Sequence, residues 1–312
     1  MPQNKTQKIL IIKLGALGDM VQALGPMRAI KAYHPDAEFT ILTTFPYVDL
    51  LTRTKLFDHI WVDHRPKWFD VGGWHDLISK LNHGHFSRVY DLQNNDRTGF
   101  YFRLMSPKPE WVGIAPGASH RNISPDRSAG LAFYGHVQTL NLAGIQDIQI
   151  DDLSWMTSDL SVYSLPARYA LIIPGSSARH VQKRWPASFF AEACAFLQRH
   201  HITPVLIGSS DEQDVLDNIS RLNPDCIHLG GKTSLFDLPA LARGAVLALG
   251  NDTGPLHLMA PTGCPSLVLF SKHSQPKKHA PLGKKVTTIE EDDLNKLSVQ
   301  KVTDSLTRLM SS

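Results

Sequence analysis

A chain of 312 residues is long for a single core, and two domains of about 150 residues each are the natural division. With 42% hydrophobic and 20% charged residues and a net charge of +3, it is expected to be an ordinary soluble protein. The basic surplus is too small, and too free of interleaved aromatics, to suggest nucleic-acid binding.

Three cysteines, Cys194, Cys226 and Cys264, form no Cys-x-x-Cys pair. Neither a disulfide framework nor a zinc site is suggested, and a reducing cytosol is expected. No run approaches about 18 apolar residues, so no membrane span is expected. The first apolar run is short, broken by Lys13, and lacks a signal-peptide cleavage site.

The first predicted element is a strand over residues 8–14, apolar on both faces as in a parallel sheet. A tight turn follows at Gly15-Ala16-Leu17-Gly18. From Met20 the apolar residues Met20, Val21, Leu24, Met27 and Ile30 recur at helical spacing. Further strands are predicted over 38–43, 59–63, 88–93 and 111–115, with helical stretches between several of them. This alternation argues a doubly wound α/β sheet. Residues 116–130, rich in Gly, Ser, Pro and Arg, read as a long surface loop.

Residues 151–166 lack periodicity and are expected to link a first domain, 1–158, to a second, 159–312. The second series has predicted strands over 169–173, 204–208, 226–229, 245–249, 266–270 and 286–289. Its first clear helix opens at Trp185-Pro186, and Cys194 falls among its core positions with Phe190, Ala193 and Leu197. After Asp293, Leu294, Leu297, Val302, Leu306 and Leu309 mark an amphipathic final helix.

The most informative residues are Asn251-Asp252-Thr253-Gly254-Pro255, followed by His257. An apolar strand leads into them and a helix leads out. Pro255 suits a first turn, where its missing N–H would be unpaired anyway. Free backbone N–H groups and the positive end of the helix dipole then point at one spot, where a phosphate can sit. A capped turn without ligand satisfies the same pattern.

The surrounding stretch reads Gly-Gly-Lys-Thr-Ser-Leu from Gly230, Leu-Pro-Ala-Leu-Ala-Arg from Leu238, and Gly-Cys-Pro-Ser-Leu-Val-Leu-Phe from Gly263. It resembles the donor-binding half of glycosyltransferase family 9, the ADP-heptose:lipopolysaccharide heptosyltransferases. Residues 9–26 (ILIIKLGALGDMVQALGP) resemble that family's N-terminal signature. Residues 174–197, centred on Lys183-Arg184-Trp185-Pro186, resemble its interdomain segment. The likeness covers nearly the whole chain. It implies the GT-B fold, two Rossmann-like domains facing a central cleft, with both motifs bordering that cleft and a final helix able to pack back on the first domain. Pro261 departs from the alanine run common in the family and should shorten its helix without disturbing the N-terminus.

The resemblance implies roles residue by residue. Asp19, after Gly18, matches the catalytic aspartate, a general base that takes the acceptor hydroxyl's proton during inverting transfer. Its plain alternative is a helix N-cap. Lys183 matches a cation on the departing diphosphate, against a solvated surface lysine. Arg179 and Arg184 are lesser helpers. Donor contacts are implied for Gly18, Ser176, Glu212, Lys232, Asp252, Thr253, Gly254 and His257. Among these, Glu212 reads equally as a ribose acceptor or a first-turn acid, and His257 as a phosphate contact or a packing residue. Lys232, Thr233 and Ser234 precede Asp237 in a Ser-x-x-Asp capping-box pattern. Acceptor contacts are expected from Asn94, Arg97 and Arg121, with Arg127 nearby.

A nicotinamide enzyme is disfavoured. Only Gly-x-x-Gly follows the first strand, not G-x-G-x-x-G, and Thr43 and Thr44 stand where an acidic residue would end the second. No Asp-x-Asp pair occurs, so neither a metal nor any other cofactor is expected. The reading is an inverting transferase moving a heptose from an ADP-sugar to a lipid-linked or oligosaccharide acceptor of the lipopolysaccharide core. It would work in the cytoplasm, at the inner face of the inner membrane and in peripheral contact with it. The alternatives are a GT-B-like nucleotide-sugar epimerase, which needs no acceptor, and a non-catalytic sugar-nucleotide-binding relative.

Overall fold

The computed structural model describes residues 6–176 and 182–311 and divides into two units, Met1–Ile150 and Asp151–Ser312. In the first, strands and helices alternate: β1 (Lys8–Ile12), α1 (Leu17–Tyr33), β2 (Glu38–Thr43), α2 (Val48–Thr54), β3 (His59–Val62), α3 (Val71–His83), β4 (Arg88–Asp91), α4 (Asp96–Leu104), β5 (Glu110–Gly113), β6 (His120–Arg121) and α5 (Ala132–Asn141). Its six strands lie in the order β3-β2-β1-β4-β5-β6, and each pairing is parallel. The apolar strand readings are the reason. Residues 9–12 are wholly buried because helices cover both faces, which a parallel sheet requires.

The second unit repeats the plan with β7 (Tyr169–Ile173), α6 (Ala187–Arg199), β8 (Thr203–Leu206), α7 (Gln213–Leu222), β9 (Ile227–His228), α8 (Asp237–Gly244), β10 (Leu247–Asn251), α9 (Gly254–Met259), β11 (Ser266–Phe270), α10 (Pro276–His279), β12 (Val286–Glu290) and α11 (Val299–Met310). Its sheet order is β12-β11-β10-β7-β8-β9, again parallel throughout. In both sheets the chain reverses its direction of travel across the sheet beside a central strand, β1 or β7. Ligands bind beyond the carboxyl ends of such strands.

Two sequence expectations need correction. Residues 116–130 are not wholly loop. His120 and Arg121 add a sixth strand to the first sheet, and Pro125–Ser128 form a 3-10 turn. Two residues are too short for the alternation that marks a strand in sequence. Residues 151–166, read as a linker, are fastened to the second unit. Leu153 and Met156 are buried, the Arg243 guanidinium donates to both of their carbonyls, and the Ser158 and Tyr163 hydroxyls donate to Asp237. The anchors are distant in sequence, so periodicity could not show them.

Cys194 lies in the second core, as do Val302, Leu306 and Leu309 of α11. Pro261 ends α9 at Met259, and a 3-10 turn, Ala260–Thr262, follows. Among the described residues no helix is long and apolar enough to cross a membrane.

One buried group sits badly. His136 on α5 is sealed in the first unit, and neither ring nitrogen has a hydrogen-bond partner. Burial, with a lesser push from Lys13, drops its pKa well below the ordinary 6.5. The folded chain keeps the ring neutral, while the unfolded chain takes a proton as pH falls below 6.5, so stability is lost on acidification. His136→Leu should therefore raise stability by about 1–2 kcal/mol at pH 7. It should also flatten the loss below pH 6.5 in urea melts taken across pH.

Candidate functional site

In the first unit the chemistry gathers where β1 ends. Lys13, Leu14, Gly15 and Ala16 connect β1 to α1. Gly15 has φ +123°, and a methyl group there would fall 2.7 Å from the Tyr47 ring, so both backbone and space demand glycine. The Leu14 peptide is held from three sides. Its N–H donates to Gln93 Oε1 at 2.8 Å, and its carbonyl accepts from Thr44 Oγ1 at 2.9 Å and Arg65 Nη2 at 3.2 Å. The N-cap of α1 is Ala16, with no side-chain cap. Asp19 is thus not the cap. It stands half-buried in the first turn, after Gly18.

Behind it lies a group the sequence reading passed over. Lys13 is buried, and its Nζ donates to the Leu92 carbonyl at 3.1 Å. Burial holds its pKa below the usual lysine value, and the nearby carboxylates Asp19 and Asp91 offset that only in part. Asp91, at the end of β4, is fully buried, and burial raises its pKa to about 6. Hydrogen bonds hold that carboxyl from three sides, from the Gln93 N–H at 3.0 Å, the Asn94 N–H at 2.9 Å and Thr98 Oγ1 at 2.7 Å. The only signal was a lysine interrupting an apolar strand.

The expected acceptor residues differ in their freedom. Asn94 follows β4 with φ +51°, and its Oδ1 is buried without a hydrogen-bond partner. Arg97 is committed. It bonds Tyr101 Oη and the Pro66 carbonyl, pairs with Asp63 at 3.7 Å, and stacks on Trp74. Arg121 lies on β6, separated from β1 by β4 and β5, and donates to the Ile114 carbonyl. Arg127 donates to the Ser124 carbonyl.

In the second unit the organiser is Asn251, the last residue of β10, which is fully buried. Its Oδ1 accepts from the Trp185 N–H at 3.0 Å, and its Nδ2 donates to the Pro174 carbonyl at 2.7 Å. One amide thus ties β10 to the exit of β7 and to the segment entering α6. That tie delivers Lys183, whose Nζ donates to Asp252 Oδ2 at 2.9 Å. Both side chains are largely sheltered, 16% and 11% exposed. Thr253 is the N-cap of α9 but makes no side-chain cap bond, and Gly254 and Pro255 open the helix. Lys183, Asp252, Thr253 and Gly254 therefore meet beside one helix N-terminus. His257 is buried within α9.

The remaining donor candidates are engaged locally. Ser176 is buried, and Arg184 donates to both its Oγ and its carbonyl. Glu212 closes a capping box, accepting from the Ser209 N–H at 2.8 Å, and its carboxylate occupies the space a methyl on Gly175 would need. Lys232 is exposed and donates to the His228 carbonyl. Asp237 and Ser234 make the reciprocal bonds of the expected capping box. Arg179 lies outside the described residues. Among those described, no three His, Cys, Asp or Glu side chains converge as a metal centre would require.

Residues 136–309 match the family model described as glycosyltransferase family 9 (heptosyltransferase). The chain belongs to that family. As a family 9 glycosyltransferase it is similar over most of its length to curated relatives. It is 24% identical over 296 residues to the lipopolysaccharide core heptosyltransferase OpsX of Haemophilus influenzae, covering 88% of this chain and 82% of that one. Solved structures share the fold. A family 9 glycosyl transferase from Veillonella parvula superposes with a TM-score of 0.82 at 18% identity, covering 97% of each chain. E. coli heptosyltransferase WaaC with ADP-2-deoxy-2-fluoro heptose gives 0.73 at 16%, covering 97% of this chain and 99% of that one. The fold is of the GT-B type, with a Rossmann-like sheet in each unit.

Removing the organising amide tests the geometry. Asn251→Ala leaves the Trp185 N–H and the Pro174 carbonyl buried and unanswered. It should cost about 2–4 kcal/mol in urea unfolding, since each orphaned group forfeits its desolvation.

Proposed function

We propose that this glycosyltransferase moves a heptose from an ADP-heptose to a hydroxyl of a lipopolysaccharide-core acceptor, with inversion at the anomeric carbon. Family membership supports the reaction class. The names of the relatives support the sugar and the nucleotide. The observation that carries the mechanism is the sheltered Lys183 held 2.9 Å from Asp252 at the opening of α9.

The acceptor hydroxyl attacks C1 of the heptose while the bond from C1 to the diphosphate oxygen breaks. Asp19 takes the proton and ADP departs with the electron pair. Charge grows on the diphosphate as that bond lengthens. The Lys183 ammonium, the Thr253 hydroxyl and the free N–H groups of the first α9 turn stabilise it. Asp252 aims Lys183 and accepts from sugar hydroxyls. Ser176, Glu212, Lys232 and His257 complete the donor pocket around the nucleotide, and Gly18 leaves room beside the sugar. Asn94 and Arg121 meet the acceptor. Arg97, already spent on Asp63, Tyr101 and Pro66, shapes the loop instead. The enzyme works at the cytoplasmic face of the inner membrane, where a lipid-linked acceptor lies.

Asp19→Asn should keep ADP-heptose binding within about twofold and cut turnover by ~10²-fold or more, because an amide cannot take the proton. Calorimetry with single-turnover kinetics separates the two effects, and near-normal turnover would remove Asp19 from the chemistry. Incubation with donor alone distinguishes an epimerase, which would convert it. Lys183→Ala should lower both ADP affinity and turnover, since its charge meets the diphosphate before and during departure. Turnover should continue in excess EDTA. Complete loss, restored by magnesium or manganese, would replace the lysine mechanism with a metal one.

A further inference from the structure

Among the exposed large apolar side chains of the first unit, four follow β2 or β3: Trp68 is 87% exposed, Val71 78%, Phe45 77% and Phe69 60%. They belong to the segments that follow β2 and β3. These strands are adjacent and parallel, so the segments emerge at the same edge of the sheet as the 13–16 turn before Asp19. Arg65 makes the link direct through its bond to the Leu14 carbonyl.

The aromatic turn is built, not loose. The Lys67 carbonyl accepts from the Asp70 N–H at 2.9 Å and from Trp74 Nε1 at 3.0 Å. Asp70 caps α3 through the Gly73 N–H, and the Pro66 carbonyl is held by Arg97. Trp68 and Phe69 pack edge to face at 5.5 Å, with Lys67 Nζ 5.7 Å from the Phe69 ring centre. A pinned turn that drives a Trp-Phe pair into water carries a standing solvation cost with no return from the unit's own core. Contiguous exposed apolar groups of this kind mark a contact surface.

The chemistry of the surface selects its partner. The aromatics sit on a turn, Trp68 standing outward and Phe69 sharing the wall of an open hollow with His64, Arg65 and Lys67. Exposed His64, Arg65 and Lys67 flank them, while of the two carboxylates of this segment Asp70 caps α3 and Asp63 is buried against the Arg65 N–H, Tyr101 and Arg97. Trp over a basic collar is the pattern that settles at a bilayer interface, ring among the headgroups and cation toward anionic lipid. We infer that the 64–71 turn seats this enzyme on an anionic membrane surface. The inference builds on the lipid-linked acceptor of the proposed function, but its test needs neither donor nor acceptor.

The full chain is sedimented with vesicles of phosphatidylethanolamine and phosphatidylglycerol at low salt. Trp68→Ala/Phe69→Ala should bind about tenfold more weakly or worse, with an unchanged melting temperature. Trp68→Phe should keep binding within about threefold, and brominated lipid should quench markedly less of its fluorescence than of the wild type's. Turnover on a delipidated, water-soluble acceptor should be unaffected by the double variant. Wild-type protein that ignores anionic vesicles, or a double variant that binds them equally, would overturn the inference. So would a double variant whose only change, in sedimentation velocity, is from dimer to monomer. Failure of sugar transfer with every acceptor would count against the proposed function and leave the vesicle result standing.

Discussion

The second unit depends on one buried amide. Asn251 ends a strand that is covered on both faces, so its side chain cannot turn to water, and each of its polar atoms must find a protein partner. It finds them in Pro174, at the end of the neighbouring strand, and in Trp185, at the door of a helix. Trp185 is itself locked, its indole N–H donating to the Leu297 carbonyl. The route taken by residues 182–186 is therefore fixed by hydrogen bonds that the core cannot give up. Lys183 arrives opposite Asp252 as a result of that route.

The first unit solves the same problem with charge. Where β1 and β4 end side by side, Lys13 and Asp91 are both buried, and the Leu14 peptide is braced by neighbours from β2, β3 and β4 loops. The turn that leads to Asp19 is thus laid over a buried cation and beside a buried carboxyl.

The parallel strands were legible because being covered on both faces leaves an unmistakable apolar run, as in residues 9–12 and 266–270. The turn chemistry at 251–255 and the capping box at Ser234 and Asp237 were legible because each is local. Three features were not. The strand of His120 and Arg121 is too short to show a period. The fastening of residues 151–166 relies on Arg243 and Asp237, some eighty residues away. The braces on Leu14 come from Thr44, Arg65 and Gln93, brought together only by strand order. Sequence pattern reports what a residue does to its neighbours in the chain, and these residues act on neighbours in space.

The pairing of Lys183 with Asp252 has a bearing on selectivity. A bare lysine at a helix N-terminus attracts any phosphate, and a cell is full of nucleotides and inorganic phosphate. If the site is the donor site proposed above, an arriving anion meets an ammonium already paired with Asp252 and must displace that carboxylate to gain full contact. A ligand that brings only phosphate leaves that carboxylate sheltered and unpaired. A ligand that brings phosphate together with hydroxyls repays both partners at once. On the proposed function, the ion pair would thus act as a threshold, admitting a sugar nucleotide on better terms than its fragments.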